Sequence, residues 1–183
     1  MSQPDNFGFT EEAALLKDSA RKFLADNFAT DRLHAMVADN PDPERMTGAH
    51  WDRDLWQQMV DLGWTCLAVP ESAGGVGMPV VAVAGLVEEV GRAAFPCPLL
   101  STLNATYALV ASGAAAEDAL GEIAGGASAT LAISGPDGGP AIDATQVSCV
   151  DGRLQGTAWF VQEARKAERL LVAARDGDQL GLY

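Results

Sequence analysis

Three closely spaced glycines, Gly74, Gly75 and Gly77, follow an apolar run at residues 64–69 and precede a predicted helix. A strand, a glycine-rich loop and a helix in that order are typical of dinucleotide sites, where N–H groups at the helix start bind the anion. Here, however, the glycine spacing does not match Gly-x-Gly-x-x-Gly, and no lysine follows as in a Walker A loop. We therefore favour a structural role, in which the glycines allow a tight loop with positive φ.

Glu88 and Glu89 are adjacent carboxylates, a pair of residue types that general acid–base chemistry uses. Neighbouring residues on a helix point about 100° apart, so the two side chains do not face one substrate together. Glu88 and Arg92 stand four residues apart and can pair at the surface. The pattern favours a solvated helix face over a catalytic pair.

Cysteine and histidine, which provide nucleophiles and metal ligands, are scarce in this chain. They are Cys66, Cys97, Cys149, His34 and His50. The sequence brings no cysteine next to a histidine, so buried structural cysteines are favoured over catalytic ones. Without a Cys-x-x-Cys pair we predict no metal site, and the odd, widely spaced cysteines fit a reducing cytoplasm better than a disulfide framework.

The chain is strongly acidic, with 12 Lys and Arg against 25 Asp and Glu among 183 residues and a net charge of −13. Such a surface does not neutralise nucleic-acid phosphates or bind an anionic membrane. The longest uncharged apolar stretch, residues 79–87, is too short to cross a bilayer, and residues 1–9 lack the pattern of a signal peptide. We expect no nucleic-acid and no membrane partner.

Helical patterning extends over residues 10–124. Thr10 is a candidate N-cap of the first helix, and Pro41 and Pro43 mark a loop after it. Further helices are predicted at residues 52–62, with Gly63 as the terminating residue, and at 79–92, 99–111 and 115–124. The residues predicted to be buried are Leu16, Phe23, Leu24, Trp56 and Trp64.

After Gly125 and Gly126 the pattern changes to short strands. They are predicted at residues 129–133, 146–150, 153–162, 170–174 and 179–183, with hairpin turns at Asp151-Gly152 and Asp176-Gly177. The predicted fold class is α+β, with an N-terminal all-α domain at residues 1–126 and an incomplete, antiparallel-rich β domain at 127–183. Because so few strands leave an unpaired edge, we expect a longer protein or a partner that completes the sheet.

Several segments resemble the acyl-CoA dehydrogenase family in their order and spacing. In the helical half they are Trp56, Leu62-Gly63-Trp64, Val69-Pro70-Glu71, Gly74–Gly77 and Glu88–Arg92. In the second half, ATLAISGPDGGPA at 129–141 lies where the family has its flavin strand and Thr-Glu-Pro-x-x-Gly-Ser-Asp motif. GTAWFVQE at 156–163 matches Gly-x-Lys-x-Trp-Ile-Thr-Asn, and AERLLVAAR at 167–175 matches the next strand. The chain thus resembles the N-terminal helical domain and first part of the β domain, without the C-terminal helical domain.

This resemblance implies an oxidoreductase of lipid metabolism that uses FAD to desaturate an acyl-CoA thioester between Cα and Cβ. In the family a carboxylate removes the α proton while the β hydrogen leaves as hydride to the flavin. That carboxylate belongs to the C-terminal domain, so no catalytic residue is assigned here and the 183 residues alone are expected to be inactive. An electron-transfer flavoprotein or similar acceptor, and a homo- or hetero-oligomer, are the implied partners.

The resemblance also implies the positions that contact FAD. They are Leu131, Ile133, Ser134, Gly139, Pro140, Phe160 and Gln162. Ser134 keeps a hydroxyl where the family has threonine, and Phe160 keeps an aromatic ring where the family has tryptophan. Gln162 replaces a threonine close to flavin N5. Pro140 replaces the serine of Gly-Ser-Asp and has neither its hydroxyl nor a backbone N–H.

Because of these departures from the family pattern, two alternatives stay open. Heteromeric members of the family that act on bulky steroid-CoA substrates include a subunit with degenerate flavin contacts, and the chain fits such a non-catalytic partner. A related flavin oxidase or monooxygenase on the same scaffold is the other alternative.

Overall fold

The structure is a computed structural model that describes residues 8–38, 51–113, 116–139 and 142–183. The predicted loop at Pro41 and Pro43, together with His50, Pro140 and Ala141, lies outside the described residues. The described chain forms six α-helices followed by a five-stranded sheet. The α+β class predicted from the sequence is therefore confirmed.

The helices follow the sequence pattern closely. They are α1 (Glu11–Asn27), α2 (Thr30–Ala38), α3 (Arg53–Asp61), α4 (Val80–Arg92), α5 (Leu99–Ser112) and α6 (Glu117–Ala124). The Thr10 hydroxyl caps α1 by accepting from the N–H of Ala13 at 3.3 Å. Asp52 caps α3 in the same way through the N–H of Leu55, at 2.9 Å. Helix α2 is separate from α1, a division that the sequence pattern did not predict.

The apolar run at residues 64–69 is not a strand, contrary to the interpretation made from the sequence. It forms consecutive turns, in which the N–H of Cys66 donates to the Gly63 carbonyl and that of Val69 to the Cys66 carbonyl, both at 3.2 Å. Its apolar side chains are buried because the turns pack into the helical core. The apolar composition of this run indicates burial, which consecutive turns provide here in place of a strand.

The helical core forms where α1 packs against α4 and the turns that follow α3. Leu24, Trp56 and Trp64 are buried as predicted, whereas Leu16 and Phe23 are only partly buried. The Phe23 ring meets the Trp64 ring edge-on, with centroids 5.4 Å apart. The predicted apolar face of α1 thus points into the core, although Leu16 and Phe23 stay partly accessible to solvent.

The strands are shorter than the sequence patterns but lie at the predicted places. They are β1 (Ala129–Ala132), β2 (Gln146–Val150), β3 (Arg153–Thr157), β4 (Arg169–Asp176) and β5 (Gln179–Leu182). Strands β2 and β3 form an antiparallel hairpin. Its turn residues, Asp151 and Gly152, have φ of 50° and 71°, as expected for the type I′ turn of an Asp-Gly pair.

The sheet is mixed rather than purely antiparallel. Its order is β1-β4-β2-β3, with β5 also paired to β4. Strand β4 lies parallel to β1 and β2 and antiparallel to β5. The predicted strand at residues 153–162 was too long, because β3 ends at Thr157 and the chain then takes left-handed φ at Phe160.

The described residues divide into two compact units. One comprises the described residues from 8 to 97 together with 124–126, and the other comprises the described residues within 98–123 and 127–183. In the second unit α5 packs against β1. The domain division at residues 126 and 127 stays a prediction for the complete protein.

Candidate cofactor site

A cleft of about 290 Å³ lies in the second unit, beside β1. Its lining residues are Ser101, Asn104, Thr130, Leu131, Ile133, Ser134, Gly138, Phe160 and Gln162. Five of the seven positions assigned through the family resemblance are among them. Gly139 does not line the cleft, although its neighbour Gly138 does, and Pro140 lies outside the described residues.

One wall of the cleft is built by β1 and the segment that follows β3. The backbone N–H of Trp159 donates to the Ser134 carbonyl at 3.2 Å, and this isolated antiparallel bridge brings Phe160 next to Ser134. Residues far apart in the sequence are therefore placed together at the end of β1. The register proposed from the family motifs predicted this proximity.

Phe160 covers the rim of the cleft. It has φ of 51° and is 69% exposed, an unusual state for a large aromatic residue. A Cβ atom at Gly138 would lie 3.5 Å from the ring, so the loop at Gly138 passes in contact with it. Phe160 thus presents an open aromatic face beside the cleft.

Helix α5 contributes a second part of the lining, which sequence reasoning missed. The Thr102 hydroxyl accepts from the N–H of Ala129 at 3.0 Å and contacts the Ala129 carbonyl at 3.3 Å. This contact attaches α5 to the start of β1 and brings Ser101 and Asn104 to the cleft. Polar residues at i and i+3 on a largely apolar helix were the available signal.

The polar groups in the cleft fit one part of a flavin. Among the described residues, neither the Ser134 hydroxyl nor the Gln162 amide makes a hydrogen bond, so both are available to a ligand. The Phe160 ring provides an apolar surface, and these two groups flank it as hydrogen-bonding partners. This combination suits the planar heteroaromatic ring of FAD. The volume of about 290 Å³ is at the lower end for ligand pockets, enough for a ring system but not for a whole dinucleotide.

Gly135 marks a departure from the family pattern. It occupies the position of the acidic residue in Thr-Glu-Pro, and a Cβ atom there would lie 2.9 Å from the Ala144 carbonyl oxygen. Gly135 is buried, so the backbone leaves no room for a side chain. The chain cannot use an acidic group at this position to contact a ligand.

The glycine loop at residues 74–77 is structural, as favoured from its spacing. The N–H groups of Gly75, Val76 and Gly77 donate to the carbonyls of Pro70, Cys66 and Val69 at 2.8–3.0 Å. A Cβ atom at Gly75 would overlap the Val69 carbonyl, so only glycine fits there. These N–H donors are therefore not available to bind a phosphate.

Glu89 differs from the predicted solvated helix face. Its side chain is fully buried and accepts two hydrogen bonds from Arg21, at 2.9 and 3.1 Å. Arg92 pairs with Glu89 at 2.9 Å rather than with Glu88, which is exposed and pairs with Lys17. The hydrogen bond from Arg21 lowers the pKa of Glu89 despite its burial, and the charges of Arg21, Arg92 and Lys17 add to this.

Neither a metal site nor a membrane-spanning helix is found in the described ranges. No three His, Cys, Asp or Glu side chains are grouped there so that they could hold a metal ion. None of the helices in those ranges combines the length and apolar character needed to cross a membrane.

Comparison with known proteins identifies the family. Residues 10–126 match the model of the acyl-CoA dehydrogenase N-terminal domain. The chain therefore belongs to the acyl-CoA dehydrogenase family. Among its relatives is acyl-CoA dehydrogenase FadE28 of Mycobacterium tuberculosis, 37% identical over 127 residues that cover 67% of this chain and 37% of that protein.

Solved structures have the same fold. A variant of the Tcur3481-Tcur3483 steroid ACAD is 31% identical, with a TM-score of 0.75 over 94% of this chain and 47% of that chain. The ChsE4-ChsE5 complex from Mycobacterium tuberculosis, at 21% identity, has a TM-score of 0.76 over all of this chain and 48% of that one. An acyl-CoA dehydrogenase complexed with FAD from Bacillus anthracis, at 18% identity, has a TM-score of 0.71 over 96% and 31%. The chain spans less than half of each of these proteins.

Proposed function

We propose that the chain provides part of the FAD site of an acyl-CoA dehydrogenase that desaturates an acyl-CoA thioester between Cα and Cβ. The observation that carries this proposal is the cleft beside β1. It is lined by five positions assigned independently through the family motifs, among them Ser134, Phe160 and Gln162. The family-model match ends at residue 126, so that match does not by itself bring these side chains together.

The residues of this chain would bind and orient the cofactor. FAD, when bound, supplies the acceptor for the hydride that leaves Cβ. The Ser134 hydroxyl and the Gln162 amide can donate hydrogen bonds to the polar edge of the ring, where negative charge builds up on reduction. Phe160 contributes apolar cover that excludes water from a ring face.

The rest of the reaction is assigned to parts of the protein outside this chain. The carboxylate that removes the α proton is expected from a C-terminal domain, and electrons then pass to an electron-transfer flavoprotein or similar acceptor. We propose an oligomeric enzyme, because both the ChsE4-ChsE5 structure and the steroid ACAD are named for two components. A steroid-derived acyl-CoA is the proposed substrate class, by analogy with the latter.

The test uses the purified full-length protein, alone and with any co-purifying subunit. The proposal predicts flavin absorption close to one FAD per site and reduction of the flavin by an acyl-CoA under anaerobic conditions. A flavin-containing protein that no acyl-CoA reduces would contradict the dehydrogenase activity. Rapid oxygen consumption would instead indicate a flavin oxidase or monooxygenase.

A non-catalytic partner subunit is the second candidate function. It is favoured by Gly135, where the nearby Ala144 carbonyl oxygen leaves no room for an acidic side chain. In that case the chain supports a flavin held mainly by another subunit. A full-length protein that is colourless alone, and becomes part of a flavin-containing enzyme only after a second subunit is added, would support this candidate over the first.

A further inference from the structure

The segment at residues 159–166 follows β1 in the antiparallel direction without being a strand. Near one end, the N–H of Trp159 donates to the Ser134 carbonyl at 3.2 Å. At the other end the Ser128 hydroxyl donates to the Lys166 carbonyl at 2.7 Å. Between them the Thr130 hydroxyl donates to the Gln162 carbonyl, also at 2.7 Å.

Two of the three anchors on the β1 side are side-chain hydroxyls, whereas Ser134 accepts through its backbone carbonyl. Ser128 and Thr130 are two residues apart, and side chains along a strand repeat every two residues. The Ser128 and Thr130 side chains therefore leave the strand on the same side. Two hydroxyls here replace the backbone ladder that would hold an ordinary neighbouring strand.

The anchored segment has a backbone conformation that needs such support. Phe160 and Glu163 both have φ of 51°, in the left-handed region that residues other than glycine rarely adopt. Conformations of this kind persist only where the surroundings hold them. The turn after Glu163 is held by its own contacts, because the Glu163 carbonyl accepts from the N–H of Lys166 at 2.7 Å.

The Thr130 contact is placed at the part of the segment that faces the cleft. Thr130 is only 1% exposed, so water does not easily replace its bond to Gln162. This bond fixes the peptide of Gln162 while leaving the side-chain amide without a partner among the described residues. The hydroxyl thus fixes where Gln162, and Phe160 two residues before it, can point.

We propose that Thr130 is a positioning residue of the cleft, whose hydroxyl holds the strained 160–163 backbone so that Phe160 and Gln162 face the ligand. Thr130 acts through the Gln162 peptide and not by donating to the ligand. The identity of the ligand as FAD rests on the proposed function. The proposal that the Thr130 hydroxyl holds the 160–163 backbone does not depend on that function.

The experiment compares three variants of the full-length protein. Thr130→Val removes the hydroxyl at nearly constant shape, and Thr130→Ser keeps it. Thr106→Val is the matched control, because Thr106 is equally buried and donates to the Thr102 carbonyl within α5 at 2.8 Å. Each variant is measured by amide hydrogen exchange of peptides covering residues 158–166 without FAD, and by FAD affinity from fluorescence quenching.

Loss of one neutral hydrogen bond predicts about three- to tenfold faster exchange in Thr130→Val and a loss of FAD affinity of similar size. Thr130→Ser should restore most of both, and Thr106→Val should change neither. Unchanged exchange in Thr130→Val would overturn the proposal, and so would faster exchange with unchanged FAD affinity. Wild-type protein that binds no FAD, even with its partner, would contradict the proposed function and the positioning role toward flavin, while exchange would still decide whether Thr130 holds the segment.

Discussion

Ser134 and Phe160 are distant in the sequence but line the same cleft. They are 26 residues apart in the sequence and become neighbours through the single bridge between Ser134 and Trp159. The family motifs predicted both residues, because each motif has a fixed place along the chain. They did not predict Asn104, which lies on α5 outside these motifs and reaches the cleft because the Thr102 hydroxyl attaches α5 to β1.

The first prediction concerns these two side chains. Ser134→Ala should weaken FAD binding by the full-length protein about three- to tenfold, as expected for one neutral hydrogen bond. Phe160→Ala should weaken it about 10- to 100-fold, because covering a phenylalanine side chain contributes about 1.5–3 kcal/mol. Ser134→Thr and Phe160→Trp are the controls, since each keeps the relevant group. Fluorescence titration with FAD measures all four, and equal affinity of Ser134→Ala, Phe160→Ala and wild type would show that the site is wrongly assigned.

A second prediction concerns a buried hydroxyl in the helical core. Thr65 is 1% exposed, and its Oγ1 has no hydrogen-bond partner in the described part of the chain. Thr65→Val removes this unpaired group at constant shape and should raise the free energy of unfolding by about 1 kcal/mol. Thr106→Val, which removes a bonded hydroxyl, should lower it by about the same amount. Chemical denaturation that shows both variants shifted in the same direction would contradict this account.

At the level of elements, the predicted helix positions were confirmed where apolar spacing and capping residues agreed. Thr10 is the example, since this predicted N-cap precedes the partly buried face of α1. Asp52, predicted as the first residue of the second helix, is instead the N-cap of α3. Helix α2 was missed because α1 ends only three residues before α2 begins, and neither glycine nor proline marks the break. The strand predicted through residue 162 was too long because its alternation of side chains cannot reveal the left-handed φ at Phe160.

The third prediction concerns the packing of α1 against α4. Glu89→Gln should lower the free energy of unfolding at pH 7 by about 1.5–3 kcal/mol, the typical contribution of hydrogen bonds to a charged group. Glu88→Gln is the matched control on the next residue and should cost at most about 1 kcal/mol, because its pair with Lys17 is exposed. Denaturant unfolding compares the two variants, and equal losses would contradict the role of the buried carboxylate.

The pH dependence follows from the lowered pKa of Glu89. The stabilisation is fully present above the ordinary carboxyl pKa of 4.5 and is lost as the pH falls through the lower pKa of the folded state. The difference in unfolding free energy between wild type and Glu89→Gln should therefore be constant near neutral pH and should shrink in acid. A difference that grows as the pH falls would show that Glu89 is not stabilised as a carboxylate.

At the level of the whole molecule, the family membership and the α+β class followed from motifs spread along most of the chain. What the motifs could not show is how the departures from the family pattern affect the cofactor site. Ser134, Phe160 and Gln162 still line one cleft. At Gly135, however, the Ala144 carbonyl oxygen leaves no room for a side chain. The chain spans less than half of its relatives, so the complete protein decides between catalytic and supporting roles.

The central claim is that the cleft beside β1 is where the flavin ring binds. A crystal structure of the full-length protein with FAD and any partner subunit tests this most directly. We predict the ring against Phe160, with the Ser134 hydroxyl and the Gln162 amide within hydrogen-bond distance, about 2.7–3.2 Å, of its polar edge. A ring bound elsewhere, with this cleft filled by protein or water, would contradict the account.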